Sequence, residues 1–184
     1  IISCLRFATA CGYSPRLRLD LVLNDFVASA IATNNIEILS DGTPWRPLIH
    51  VNDMARAIQW ASSRDLDNGG PFIIVNAGSN RWNYQIKELA QAVKDHFPDL
   101  DLSINENAAP DKRSYKVNFG NFKKLAKEFY PKMSLNDTVK NLSEGLNMIN
   151  FNDSDFRQSY LIRLTILKNH INNSRLSKNL KWIN

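Results

Sequence analysis

Cysteine is scarce in this chain: Cys4 and Cys11 are the only two among 184 residues, and they stand in no CxxC pair and beside no histidine cluster. That argues against a disulfide framework and leaves no metal-ligand spacing to follow. Both read as free thiols in a reducing compartment. Long apolar runs are missing as well, since no stretch of about 18 apolar residues is present to cross a membrane. The opening IISCLRF has neither the charged region nor the cleavage site of a secretory leader. A cytoplasmic protein without a membrane partner is the expectation. There is no repeat and no low-complexity tract. Charge of one sign is only slightly in excess, 23 Lys and Arg against 18 Asp and Glu, for a net +5. The excess reads as dispersed and no nucleic-acid-binding motif accompanies it, so no nucleic-acid partner is expected. A small anion such as a diphosphate needs only two or three converging cations and stays open.

What is present is enough for one core: 43% hydrophobic and 22% charged residues place the chain among globular domains. It starts without a Met, inside a β-favouring run with no cap or turn before it. A further amino-terminal part is therefore expected. Residues 1–7 read as a buried strand, with Gly12 and Pro15 punctuating the loop that follows. Apolar positions Leu23, Phe26, Val27, Ala30 and Ile31 recur at helical spacing, predicting a helix over 21–33 with Asp20 as its cap. Residues 36–39 and 47–51 read as strands joined through the Asp41-Gly42 turn. A helix from Asn52 or Asp53 to Ser62 comes next, with Asp53 placed to cap it. The apolar run 72–75 predicts a buried strand. Helices are predicted over 84–96, 121–129, 135–149 and 153–172, and short strands over 102–104 and 115–119. Gly145 inside one of these helices weakens it by about 1 kcal/mol. Strands alternating with helices, then a helical tail, make an α/β layout.

The stretch IEILSDGTPWRPLIHVNDMARAI, residues 36–58, carries an Asp-Gly turn, an Arg, an apolar strand and a helix in that order. Asp41-Gly42, Arg46, Ile49-His50-Val51 and Asp53 together resemble the NAD-dependent epimerase/dehydratase family of extended short-chain dehydrogenases, which act on sugar nucleotides. The resemblance implies that Arg46 binds the diphosphate of a nucleotide sugar, a task for which the paired donors of a guanidinium fork are suited. His50 reads as a packed strand residue rather than a base. Trp45 suits a ligand cover and a core cover equally.

Residues 5–30 resemble the family's strand whose end contacts the nicotinamide, which implies Phe7, Ala8 and Thr9 near the cofactor and Asn24 near the substrate phosphate. This chain has Ala8 or Thr9 where the family's usual form has an Asn. Residues 110–125, PDKRSYKVNFGNFKKL, resemble the family's Asp-x-Arg-x-Tyr strand and following helix. They imply a second diphosphate-binding arginine at Arg113, with Tyr115 on the same side two residues on.

Two family motifs have no counterpart. There is no G-x-x-G-x-x-G loop to hold a cofactor pyrophosphate at a helix amino terminus, and no Tyr is followed four residues later by Lys. The resemblance therefore implies the carboxyl-terminal part of a Rossmann-like doubly wound sheet plus a smaller α/β substrate-binding domain with a helical tail. It corresponds to the second half of a full-length member, with the NAD-binding half and the catalytic acid/base outside residues 1–184. The expected ligands are a nucleoside-diphosphate sugar and, mainly through the other half, NAD, in a possible homodimer. A non-catalytic nucleotide-sugar-binding or interaction module is the alternative.

Overall fold

The computed structural model describes residues 1–108 and 113–183. Strand β1 (Ile2–Phe7) changes partner part-way along the chain. It first runs parallel to β5 (Phe72–Ala77), with Ile2 opposite Phe72 and Phe7 opposite Ala77. Past Ala8 the chain continues as β2 (Thr9–Cys11), now parallel to β4 (Trp45–His50). Strand β4 also takes β6 (Asn83–Gln85) antiparallel, while β3 (Asn35–Ile38) pairs in parallel with β7 (Asp101–Ile104). Among the described residues six α-helices connect or cover these strands: α1 (Val22–Thr33), α2 (Val51–Ser63), α3 (Ile86–His96), α4 (Gly120–Ala126), α5 (Leu135–Met148) and α6 (Arg163–Asn172). The α/β class expected from the sequence is the one observed.

Two clusters of buried side chains hold the layers together. The larger packs Leu23 and Val27 of α1, Leu89 and Val93 of α3 and Leu142 and Leu146 of α5 around Leu19, Ile36 and Phe156. The smaller lies under the β1–β5 pair, where Ala57 and Trp60 of α2 meet Phe122 and Ala126 of α4. Trp60 and Phe122 pack edge to face with ring centroids 5.5 Å apart.

Four sequence expectations are corrected. Strands β1 and β5 are buried on one face only: Ile2, Phe72 and Ile74 are at least half exposed, because α2 and α4 cover the opposite side. A continuous apolar run says nothing about how many faces are covered. Strands β3 and β4 do not pair, since Pro44 and Gly42 between them accept from the amides of Ile86 and Lys87 and the chain leaves one sheet for another. Residues 113–119 are not a strand. Two of their amides are taken by side chains, Val117 by Asn83 Oδ1 at 2.8 Å and Phe119 by Asn80 Oδ1 at 2.7 Å, and Tyr115 N donates to Trp45 O at 3.3 Å, so no regular ladder forms. In place of one helix over 153–172 there is a single turn at Phe156–Gln158 and then α6, because Phe156 is drawn into the core.

Candidate functional site

The loop after β2 sets the geometry. Gly12 has φ near +100°, and a Cβ there would lie 2.4 Å from His50 Nε2, so only glycine lets the backbone pass over the imidazole. The next residue presses its ring against α5, where a Cβ on Gly145 would stand 2.2 Å from the Tyr13 ring. Gly145 is thus a packing requirement, and α5 runs through it unbroken. Asn24 fastens the loop from α1: its Oδ1 accepts from Gly12 N at 3.1 Å and its Nδ2 donates to Arg18 O at 2.9 Å. From α5, Asn141 Oδ1 accepts from Tyr13 N at 2.9 Å and lies 3.1 Å from His50 Nε2.

His50 is the buried strand residue expected of it, and it also takes the capping role expected of Asp53. His50 is the residue that caps α2, its Nδ1 accepting from Asn52 N at 3.1 Å. Asp53 reaches away from α2 and accepts from the amides of Lys132 and Met133 at 3.0 and 3.1 Å, tying the loop before α5 to the sheet. At the start of α1, Asp20 does not cap; it forms a bidentate pair with Arg18 at 3.0 and 2.6 Å, which holds its carboxyl below the usual range.

Because Nδ1 of His50 is an acceptor, its proton sits on Nε2 and is donated to Asn141. Burial pushes its pKa below 6.5, against smaller opposing effects of the Asn141 bond and the Asp53 charge. The folded protein then binds fewer protons than the unfolded chain between its depressed pKa and about 6.5. Stability should hold above that value and fall as pH drops below it. Urea midpoints measured between about pH 5 and 7.5 should show this slope, and His50→Asn, which keeps a capping acceptor, should flatten it.

Above this framework lies an open cavity of about 730 Å³ bordered by Thr9, by residues at the start of α1, by Glu37–Ser40 and by Arg46, Ile86, Arg113 and Tyr115. The two arginines therefore share one cavity. Arg46 Nη1 donates to Trp45 O at 2.8 Å and to Arg113 O, so Arg46 also fastens the 113–119 segment to β4. On the other side Trp45 N donates to Ser114 Oγ at 3.0 Å and Lys116 Nζ lies 3.4 Å from the centre of the Trp45 ring. Trp45 is thus covered by the chain's own lysine. Three carboxylates border the cavity, Asp20, Asp25 and Glu37, and the first two have cations of their own: Asp20 with Arg18, and Asp25 with Arg157 at 2.7 and 3.0 Å.

Asn24 does not reach this cavity; it is 2% exposed and both ends of its amide hold the loop. Phe7 and Ala8 border a separate cavity of about 140 Å³ with Asn76, Val117 and Phe119, and Tyr115 borders both cavities. That volume is below what a drug-sized ligand needs. Phe7 and Ala8 therefore cannot hold a dinucleotide by themselves and could touch only one end of it. Sequence reasoning missed Arg18 and Arg157, whose partners become apparent only when the chain is folded. Cys11 lies beneath the site, and burial, with the Asp53 charge, pushes its thiol well above the usual range, so it is no nucleophile. Among the described residues there is no cluster of His, Cys, Asp and Glu able to hold a metal ion, and no helix long and apolar enough to cross a membrane.

Residues 2–78, which carry the Asp-Gly turn, Arg46 and the strand ending at His50, match the model of the NAD dependent epimerase/dehydratase family. The resemblance read from residues 36–58 is thereby borne out. Among solved structures, MoeE5 in complex with UDP-glucose and NAD superposes with a TM-score of 0.64 at 22% identity, over 80% of this chain and 48% of that one. TunA, an NAD dependent NDP-hexosamine 5,6-dehydratase involved in tunicamycin biosynthesis, gives a TM-score of 0.65 at 14% identity, over 82% of this chain and 46% of that one. A monomeric L-threonine 3-dehydrogenase from a metagenome gives 0.63 at 15%, over 79% and 48%. At these identities the likeness is one of fold, and the chain spans less than half the length of each of the three. The third is an amino-acid dehydrogenase, so the fold alone does not select a sugar nucleotide.

Proposed function

We propose that this chain supplies the nucleotide-sugar-binding portion of an NAD-dependent epimerase or dehydratase. The observation that carries the reading is the placement of Arg46 and Arg113 in the wall of one cavity, with Tyr115 between it and the Phe7–Ala8 side. Two guanidinium groups brought together by β4 and the strapped 113–119 segment place two fixed positive charges where a diphosphate would lie. Tyr115 then gives a ring and a hydroxyl to the sugar side. Thr9, with the backbone at Phe7 and Ala8, faces the reacting end of the cofactor, and Asn24 acts by holding the Gly12 loop. NAD, when bound, supplies the hydride acceptor for a sugar hydroxyl. Its pyrophosphate loop and the Tyr-x-x-x-Lys acid/base belong to sequence outside these residues. The match of residues 2–78 to the family and the likeness to MoeE5, which binds UDP-glucose and NAD, support the same reading.

Calorimetric titration of the full-length protein with a UDP-sugar tests it. Charge-assisted hydrogen bonds are worth about 1.5–3 kcal/mol each, so Arg46→Ala should weaken nucleotide-sugar binding roughly 10- to 150-fold while leaving NAD affinity nearly unchanged. Equal weakening of both ligands would remove the diphosphate assignment.

A further inference from the structure

The positive charge of this protein is not dispersed. Residues 156–184 contain six Lys and Arg and no Asp or Glu, whereas residues 1–155 contain seventeen and eighteen. The entire net charge of +5 therefore arises from the carboxyl-terminal tail, in which Arg157 alone serves the site described above, through Asp25.

The tail folds into a presented shape. After α6 the chain turns back as a small hairpin in which Leu176 bridges Trp182, Ser177 N donates to Lys181 O at 2.8 Å and Ile183 N donates to Arg175 O at 3.0 Å. The hairpin is tied to the end of α6 by the amides of Arg175 and Leu176, which donate to His170 O at 2.9 and 3.1 Å. The His170 and Trp182 rings pack edge to face at 5.4 Å. Only Leu176 is buried. Leu180, Trp182 and Ile183 are each more than half exposed, and Arg175, Lys178 and Lys181 on the same hairpin are exposed too. At the other end of α6, Tyr160 and Leu164 are exposed beside Arg163.

Large apolar side chains held in water on a hairpin that carries three cations and no carboxylate have a specific physical counterpart. We propose that this hairpin docks on an anionic lipid surface. Trp182, Leu180 and Ile183 enter the boundary between headgroups and acyl chains, and Arg175, Lys178 and Lys181 neutralise lipid phosphates. Trp is suited to that boundary because its ring is amphipathic. The stems of Lys178 and Lys181 lie along the apolar surface while their ammonium groups reach the headgroups. This is attachment to one leaflet, which needs no spanning helix.

The test is sedimentation of the full chain with phosphatidylcholine vesicles and with vesicles of mixed phosphatidylcholine and phosphatidylglycerol. The protein should pellet with the mixed vesicles, stay in solution with the zwitterionic ones, and be released by salt, which screens the attraction. Lys178→Glu and Lys181→Glu should each weaken retention roughly fivefold or more. Trp182→Ala should weaken it further and abolish the change in tryptophan emission on binding. All three side chains are exposed, so circular dichroism should be unaltered. Equal retention on both vesicle types would overturn the proposal, as would retention unaffected by Trp182→Ala. Two other results overturn it in favour of another occupant: retention by duplex DNA but not vesicles, and a concentration-dependent dimer that Trp182→Ala dissociates.

Discussion

Replacing Gly12 by Ala should lower the unfolding free energy by about 3 kcal/mol, read as a fall in the urea midpoint at unchanged slope. Two costs combine. At φ near +100° an L side chain is strained whatever its surroundings, and the added methyl would lie 2.4 Å from Nε2 and 2.6 Å from Cδ2 of His50. The imidazole cannot retreat cheaply, because its Nδ1 caps α2 and its Nε2 is held by Asn141. Gly70 supplies the control: its φ is +75°, but a Cβ there meets nothing within 4 Å. Gly70→Ala should therefore cost only the conformational part, about 1 kcal/mol. Equal losses for the two variants would show that the close approach to His50 contributes nothing.

Arg64→Met should cost about as much, on the order of 3 kcal/mol, for an electrostatic reason. Arg64 is 7% exposed, and no carboxylate answers its charge among the described residues. Its guanidinium is satisfied by carbonyls and a hydroxyl: Ile2 O at 2.7 Å, Gly70 O at 2.7 Å, Asn68 O at 3.1 Å and Ser3 Oγ at 2.6 Å. One side chain thus ties the start of β1, the end of α2 and the 68–70 loop together. Methionine fills most of the volume but removes the donors that three carbonyls and the Ser3 hydroxyl receive from the guanidinium. Arg64→Lys keeps the charge on a single nitrogen without the planar fork, so it should recover less than half of the loss. Full recovery by lysine would mean that charge rather than geometry matters there.

The helices were legible because a 3.6-residue period survives in the sequence: the spacing predicts 21–33 and 135–149, and the structure has Val22–Thr33 and Leu135–Met148. Strand partners were not legible. A period of two reports which face a residue takes, and nothing about Ile36 announces that it lies opposite Leu102. The same limit explains β1 and β5, whose apolar residues point both ways although one face is bare. Near the start of α2, His50 and Asp53 are both acceptors. The choice between them is made by the amides of Lys132 and Met133, which only the folded chain brings near. Arg64 left no pattern at all, since a buried cation satisfied by carbonyls has no partner residue to recognise. The common cavity of Arg46 and Arg113 was anticipated from family likeness, whereas the withdrawal of Asn24 from it depended on the Gly12 loop.

Having one exposed and one buried cysteine makes the chain selectively addressable. Cys11 is sealed beneath the site with its thiol held protonated, while Cys4 lies on the uncovered side of β1, opposite Ile74 in the parallel register. A maleimide dye will therefore couple at one atom per molecule without mutagenesis. Its emission reports the polarity of whatever rests against that side of the sheet, which makes the native thiol an optical gauge of whether Ile2, Phe72 and Ile74 face water or another surface.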